Sequence, residues 1–147
     1  MHARQQVRDA VKAALANIPG VAGVHGVRVD PFARSDLPAV QVAITSEAIN
    51  AMDSSSVETD RDMTVDVSIW VTGDDGVDDT LDDIAAQVET RILTATGGIW
   101  NDDSGVYFVF PSSMTLTVGE LSESTAMVLT TRFRVRVQAS TPETIGG

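Results

Sequence analysis

Cysteine is absent from the 147-residue chain, so disulfides, thiol nucleophiles and cysteine-ligated metal sites are excluded. Basic residues are scarce too: 10 lysines and arginines stand against 21 acidic residues, which gives a formal net charge of -11. A protein this acidic is repelled by nucleic-acid phosphates and by anionic membrane surfaces. We therefore expect no specific nucleic-acid recognition and no membrane partner.

Long hydrophobic runs are also missing. No run approaches the roughly 18–20 apolar residues that cross a bilayer, and the N-terminal segment has a helical pattern without the apolar core of a signal peptide. We expect a protein that is made and kept in a cytoplasm, or that leaves it by a route other than secretion. The length suits one domain, which we predict over residues 1–140, with a flexible tail over 141–147.

Enzyme motifs are absent from the sequence as well. It contains no glycine-rich nucleotide loop, no Walker loop, no HExxH and no GxSxG. The two histidines, His2 and His25, have no carboxylate or serine partner at a catalytic spacing. We predict that the chain is not an enzyme and needs no cofactor.

Apolar residues spaced three and four apart predict two helices. The first covers 3–17 and ends at Pro19, and the second covers 79–94 with Asp78 or Asp79 as its N-cap. Alternating residues predict five strands, with a loop over 47–60. The segment 99–113 could be a short strand plus a long loop. The strands are expected at 27–29, 39–45, 62–71, 114–120 and 127–139.

This element order predicts an α+β fold. We expect a single, mostly antiparallel β-sheet of about four to five strands, with both helices packed on its apolar face.

The last strand places three arginines on one face, Arg132, Arg134 and Arg136, because residues two apart point the same way. Asp62 and Asp66 occupy the polar face of the clearest strand. The two sets could pair across neighbouring strands, or the arginines could line a surface that faces a partner or a channel. Three arginines are a thin footprint for nucleic acid in so acidic a chain.

Trp70 lies where its strand should show a polar residue. A tryptophan beside charged residues is typical of an interface anchor. The alternative is that the 47–60 loop forms a local lid over it.

Charge is segregated along the chain. Arg4, Arg8 and Lys12 form a basic stripe on the first helix, whereas ten acidic residues lie between positions 58 and 83. The acidic cluster does not fit an EF-hand, because the twelfth position from its start is an alanine. It indicates a solvated turn with a helix cap or, alternatively, a weak divalent-ion site or an acidic docking surface. The cluster consists of Asp74, Asp75, Asp78, Asp79, Asp82 and Asp83.

Three segments together resemble the tail terminator and minor tail proteins of phages, of the lambda U type. They are the opening helix Arg4–Val11, the loop at Pro31 leading into Leu37–Val42, and the acidic turn and helix Gly76–Ala85. The resemblance covers roughly residues 2 to 139.

The resemblance implies a virion protein with an α+β fold. Six copies would form a ring on the end of the tail tube, which would stop tube polymerisation and offer a surface to the head connector. Its partners would be its own copies, the tail tube protein and the head–tail connector protein. A related connector or completion protein, and an acidic protein-binding or divalent-ion-binding module, are the alternatives.

A ring requires two different patches that meet between neighbouring subunits. We expect Asp74–Asp83, or Asp62 and Asp66, to face arginines or lysines of the next copy. The basic candidates are Arg132, Arg134, Arg136, Arg4, Arg8 and Lys12.

Overall fold

A computed structural model describes residues 3–51, 59–73, 76–94, 106–141 and 144–145 of the chain. It contains two α-helices, one short 3₁₀ turn at Arg34–Asp36 and six strands. The helices are α1 (Ala3–Ala14) and α2 (Val77–Leu93). The strands are β1 (Gly23–His25), β2 (Ala39–Ala51), β3 (Thr59–Val71), β4 (Val106–Glu120), β5 (Thr125–Thr141) and β6 (Thr144–Ile145).

The strands form one sheet in the order β1-β2-β3-β5-β4, with the two-residue β6 paired to β5. β1 runs parallel to β2, and all other pairs are antiparallel. The predicted α+β class with a mostly antiparallel sheet is therefore confirmed.

Both helices cover the same face of the sheet. The apolar residues of α1 repeat at Ala3, Val7 and Val11, and together with the stripe of α2 they bury against alternate residues of β2, β3 and β5. In β3 every second residue from Arg61 to Val71 is buried, as strict alternation predicts. The opposite, open face carries the polar residues and Trp70.

The start of α2 differs from the prediction. Gly76, in a left-handed conformation with φ 88°, is the N-cap, and among the described residues no side chain caps the helix. Asp78 and Asp79 therefore lie in the first turn rather than at the cap, where their charges still suit the positive end of the helix dipole.

Two strand predictions were wrong. The segment 27–29 is not a strand: Val27 and Val29 are exposed, and the chain pairs with β2 earlier, at Gly23–His25, where Val24 packs against the core. β4 begins at Val106 instead of 114 and runs through a proline, which an edge strand tolerates because one side of it needs no ladder hydrogen bonds.

The predicted loop over 47–60 was wrong at both of its ends. Residues 47–51 extend β2 and residues 59–60 begin β3, while 52–58 lie outside the described residues. Within the predicted tail, Thr144 and Ile145 pair with the end of β5. No helix in the described ranges is long and apolar enough to span a membrane.

Candidate assembly interface

The open face carries a ladder of Arg–Asp pairs between β3 and β5. Asp66 lies directly opposite Arg132, and Asp62 directly opposite Arg136. Arg132 makes a bidentate contact to Asp66, with Nε 2.9 Å from Oδ1 and Nη2 3.1 Å from Oδ2. Arg134 donates to both oxygens of Asp62, whose Oδ2 also lies 3.5 Å from Nε of Arg136. Pairing across neighbouring strands is therefore confirmed.

In these ion pairs both aspartates are bound by arginines of the same subunit. The side chains of Asp62 and Asp66 are 20% and 14% exposed, whereas those of the three arginines are 41–51% exposed. The hydrogen bond and the charge of Asp66 raise the pKa of Arg132 above its usual value. Asp62 and Asp66 are thus engaged within one subunit, and only the arginines present their charge outward. That they face a partner or a channel stays a prediction.

Trp70 belongs to a small aromatic cluster at the other end of this face. Its ring stacks edge-on against Phe32, 5.2 Å between centroids, and Phe32 is 2% exposed. A Cβ at Gly119 would lie 2.4 Å from the Trp70 ring, so only glycine allows this close approach of β4. Phe32 and Leu37, from the loop before β2, pack with Trp70. Residues 52–58 of the predicted 47–60 lid lie outside the described residues.

His25 extends the same cluster. The centre of its ring lies 5.1 Å from that of Phe32, and the guanidinium of Arg28 lies over the Phe32 ring, 4.5 Å from its centre. Burial of the imidazole, followed by the positive charge of Arg28, lowers the pKa of His25 below its usual 6.5; Lys12 adds to this effect and Asp36 opposes it.

We expect the NMR titration of His25 in the folded protein to have its midpoint below 6.5. Because the unfolded chain then binds more protons, the contribution of His25 to stability is full above pH 6.5 and is lost as the pH falls through the folded pKa. Arg28→Gln should move the midpoint upward, since it removes a cation. A midpoint at or above 6.5 in the unaltered protein would contradict this assignment.

The acidic cluster is only partly described. Asp74 and Asp75 lie outside the described residues, whereas Asp78 and Asp79 are exposed on the first turn of α2, with Asp82 on the next turn. No group of three or more histidine, aspartate or glutamate side chains converges as metal ligands in the described part of the chain.

The basic stripe of α1 faces the β1 edge of the sheet. Arg4 and Arg8 line an open groove of about 310 Å³ together with Val27 and Ile44. Lys12 lines a second groove of about 330 Å³ with β1 and the segment that leads into it, including Val21 and Val24. Basic side chains of α1 therefore lie beside apolar side chains at this edge of the molecule, which we call the basic edge.

The acidic flank of α2 faces the opposite way. Arg91 donates from α2 to the backbone oxygens of Ala16 and Asn17 at the end of α1, 2.6 and 3.4 Å away. At about 100° per residue, Asp82 and Glu89 lie on the other flank of α2. That flank is directed away from α1, towards the β4 side of the sheet, since α2 also contacts β4.

β4 completes this second edge with exposed apolar side chains. Met114, Leu116 and Val118 point to the helix-covered face and are 47%, 50% and 65% exposed. Among the described strands, β4 pairs only with β5 along its length, so its outer backbone edge has no strand partner in the described part of the chain. We call this strand and the acidic flank of α2 the acidic edge.

No protein-family model matches the chain, and no curated protein matches it significantly.

Sequence reasoning missed the buried ion pair of Glu47 and Arg61. Their side chains are 9% and 5% exposed on the helix-covered face, where Arg61 donates to Glu47 and Nε of Arg4 lies 3.9 Å from Glu47 Oε2. The signal was present, because the alternation Met63, Val65, Val67 extends back to position 61. Arg4 is thus partly engaged within its own subunit.

Proposed function

We propose that this chain is a structural virion protein that assembles head to tail into a homo-oligomeric ring. In this role the ring, of six copies by the sequence resemblance, caps the phage tail tube, ends its polymerisation and provides the surface for the head connector. The tube protein and the connector are its further partners, and its place is in the phage tail.

One observation carries the assembly proposal: the two opposite edges of the sheet differ and are complementary. The basic edge has Arg8 and Lys12 in two grooves that also contain valines, whereas the acidic edge combines Asp82 and Glu89 of α2 with exposed Leu116 of β4. Unlike patches on opposite sides of a subunit produce head-to-tail contacts, which close into rings when the rotation allows.

The ion pairs on the open face limit which charged residues can meet between neighbouring subunits. Asp62 and Asp66 are engaged with arginines of their own subunit, so they are poor candidates for a contact with the next one. The acidic partner in the joint is then the flank of α2, and the basic partner is the flank of α1.

We expect purified protein to sediment as an assembly at about 0.05 M salt and to dissociate towards monomer at about 0.5 M, because the Debye length falls severalfold. Negative-stain electron microscopy of the low-salt sample should show rings. Addition of the assembly to polymerising tail tube protein from the same gene neighbourhood should limit tube length and leave a ring at the end of each tube.

Two results would overturn parts of this proposal. Monomers at high protein concentration in low salt, with and without magnesium, would remove the ring. Rings that bind a head connector but leave tube growth unaffected would replace the terminator role with that of a connector or completion protein.

A further inference from the structure

The pairing register places the exposed apolar residues of β4 in the same cross-strand rows as β1. Val24 pairs with Val40, Val40 with Ile69, Ile69 with Leu129, and Leu129 with Leu116. Leu116 and Val24 are therefore the two ends of one row, and both point to the helix-covered face. Two rows further, on the same face, Val118 is level with Ala22, the residue before β1, whose N–H donates to the carbonyl oxygen of Pro38.

The directions of β4 and β1 are also compatible with pairing between copies. β2 is antiparallel to β3, β3 to β5 and β5 to β4, so β4 runs opposite to β1 and β2. A second copy that extends the sheet in the same orientation would place its β1 antiparallel to β4. The helices of both copies would then lie on one side of the joined sheet.

From these matches we infer that β4 of one copy adds as an antiparallel strand to β1 of the next copy, so that the sheet continues across the joint. This inference rests on the proposed ring and names its contact. Open strand edges are templates for such pairing. Pro111 and the irregular pairing around it interrupt the first half of β4. From Ser113 to Gly119, however, the strand has neither proline nor charge, and its side chains Met114, Leu116 and Val118 are apolar and exposed.

The groove beside β1 supplies the receiving site. It has a volume of about 330 Å³ and lies between the end of α1 and β1, lined among others by Lys12, Val21 and Val24. The apolar side chains of β4 enter this groove from the neighbouring copy. In the helix layer above, the acidic flank of α2 then meets the basic flank of α1, so that apolar contact and charge favour the same joint.

Disulfide trapping tests the contact between β4 and β1 of neighbouring copies. The chain has no cysteine of its own, so only the introduced cysteines can form a cross-link. Ala22→Cys is combined in turn with Met114→Cys, Leu116→Cys and Val118→Cys. Within one subunit these positions lie four strand spacings apart, about 19 Å, which exceeds the roughly 7 Å between Cα atoms that a disulfide spans. Any cross-link therefore joins two copies.

We expect at least one pair, Val118→Cys with Ala22→Cys first, to give a ladder of oxidised oligomers on a denaturing gel. Thr117→Cys with Ala22→Cys is the matched control: its side chain points to the opposite face of β4, and it should give at least tenfold less cross-linked product. Cross-linking by Val118→Cys or Leu116→Cys alone would instead mean that β4 pairs with β4, and would overturn the inference.

A second pair of variants keeps the test independent of disulfide geometry. Leu116→Lys places a charge on the open edge and should reduce the assembled fraction at least tenfold, while Thr115→Lys, on the other face of the same strand, should not. Circular dichroism confirms that both variants fold. If the unaltered protein forms rings but none of these variants behaves as expected, the β4–β1 contact is wrong and the proposed ring is retained. If the unaltered protein forms no rings, the proposed function itself is contradicted.

Discussion

Replacement of Arg61 by methionine is expected to lower the free energy of unfolding by about 3 kcal/mol. Removal of one partner from a buried ion pair costs about 3–5 kcal/mol, because the other charge is left without compensation in the core. We expect the lower end of this range, since Arg4 lies 3.9 Å from Glu47 and stays in place. Urea unfolding followed by circular dichroism measures the change.

The matched control removes both charges at once. Glu47→Met with Arg61→Met replaces the pair by apolar side chains of similar length, and we expect it to stay within about 1 kcal/mol of the unaltered protein. Arg4→Ala alone should cost less than about 1 kcal/mol, because Arg4 is largely exposed. A loss in the double variant as large as in Arg61→Met would show that Arg61 acts by packing rather than by charge.

Reversal of the charges on the basic edge is expected to abolish assembly without unfolding the subunit. Arg8→Glu with Lys12→Glu puts negative charge on the α1 flank, so that it repels Asp82 and Glu89 of the next copy. Glutamate is a good helix former, and neither Arg8 nor Lys12 makes an ion pair with any described residue, so α1 should be kept. Sedimentation velocity should show monomers at a salt concentration where the unaltered protein is assembled.

Reversal on the acidic edge should have the same effect. Asp82→Lys with Glu89→Lys changes the flank of α2 that points away from α1. The control is Asp79→Lys with Asp83→Lys, which makes the same change in net charge on the outward crest of α2 and should leave the assembly largely intact.

The parts of the fold that the sequence predicts are those where burial controls the residue pattern. β3 and the two helices each bury one face, so the alternation around Met63 and the helical spacing around Val7 and Ile84 appear in the sequence. The pairing of Asp62 and Asp66 with the arginines of β5 follows from these same patterns once the two strands are neighbours.

The parts that were missed lie where burial does not control the pattern. β1 has only three residues. The spacing of the valines does not specify whether Val24 or the valines at 27–29 lie beside β2, so the sequence could not place this strand. The first half of β4 is an edge that contains a proline and was predicted mostly as loop for that reason. Arg61 was overlooked because a buried arginine is recognised only through its partner, Glu47, fourteen residues away.

The interface itself could be predicted only as segregated charge. The sequence places the basic stripe on α1 and the acidic residues before and within α2, but it does not show that these two flanks face opposite ways. That relation comes from Arg91, which ties one flank of α2 to the end of α1, and from the strand order, which separates β1 from β4 by the width of the sheet.

The most direct test of head-to-tail assembly combines the two reversals in one chain. The variant carries Arg8→Glu, Lys12→Glu, Asp82→Lys and Glu89→Lys, so every joint again has opposite charges facing each other while the net charge is unchanged. Sedimentation velocity at low salt should recover assemblies of the size formed by the unaltered protein, although each reversal alone gives monomers. If the combined variant stays monomeric while it remains folded, α1 and α2 do not meet between copies, and the proposed joint is contradicted.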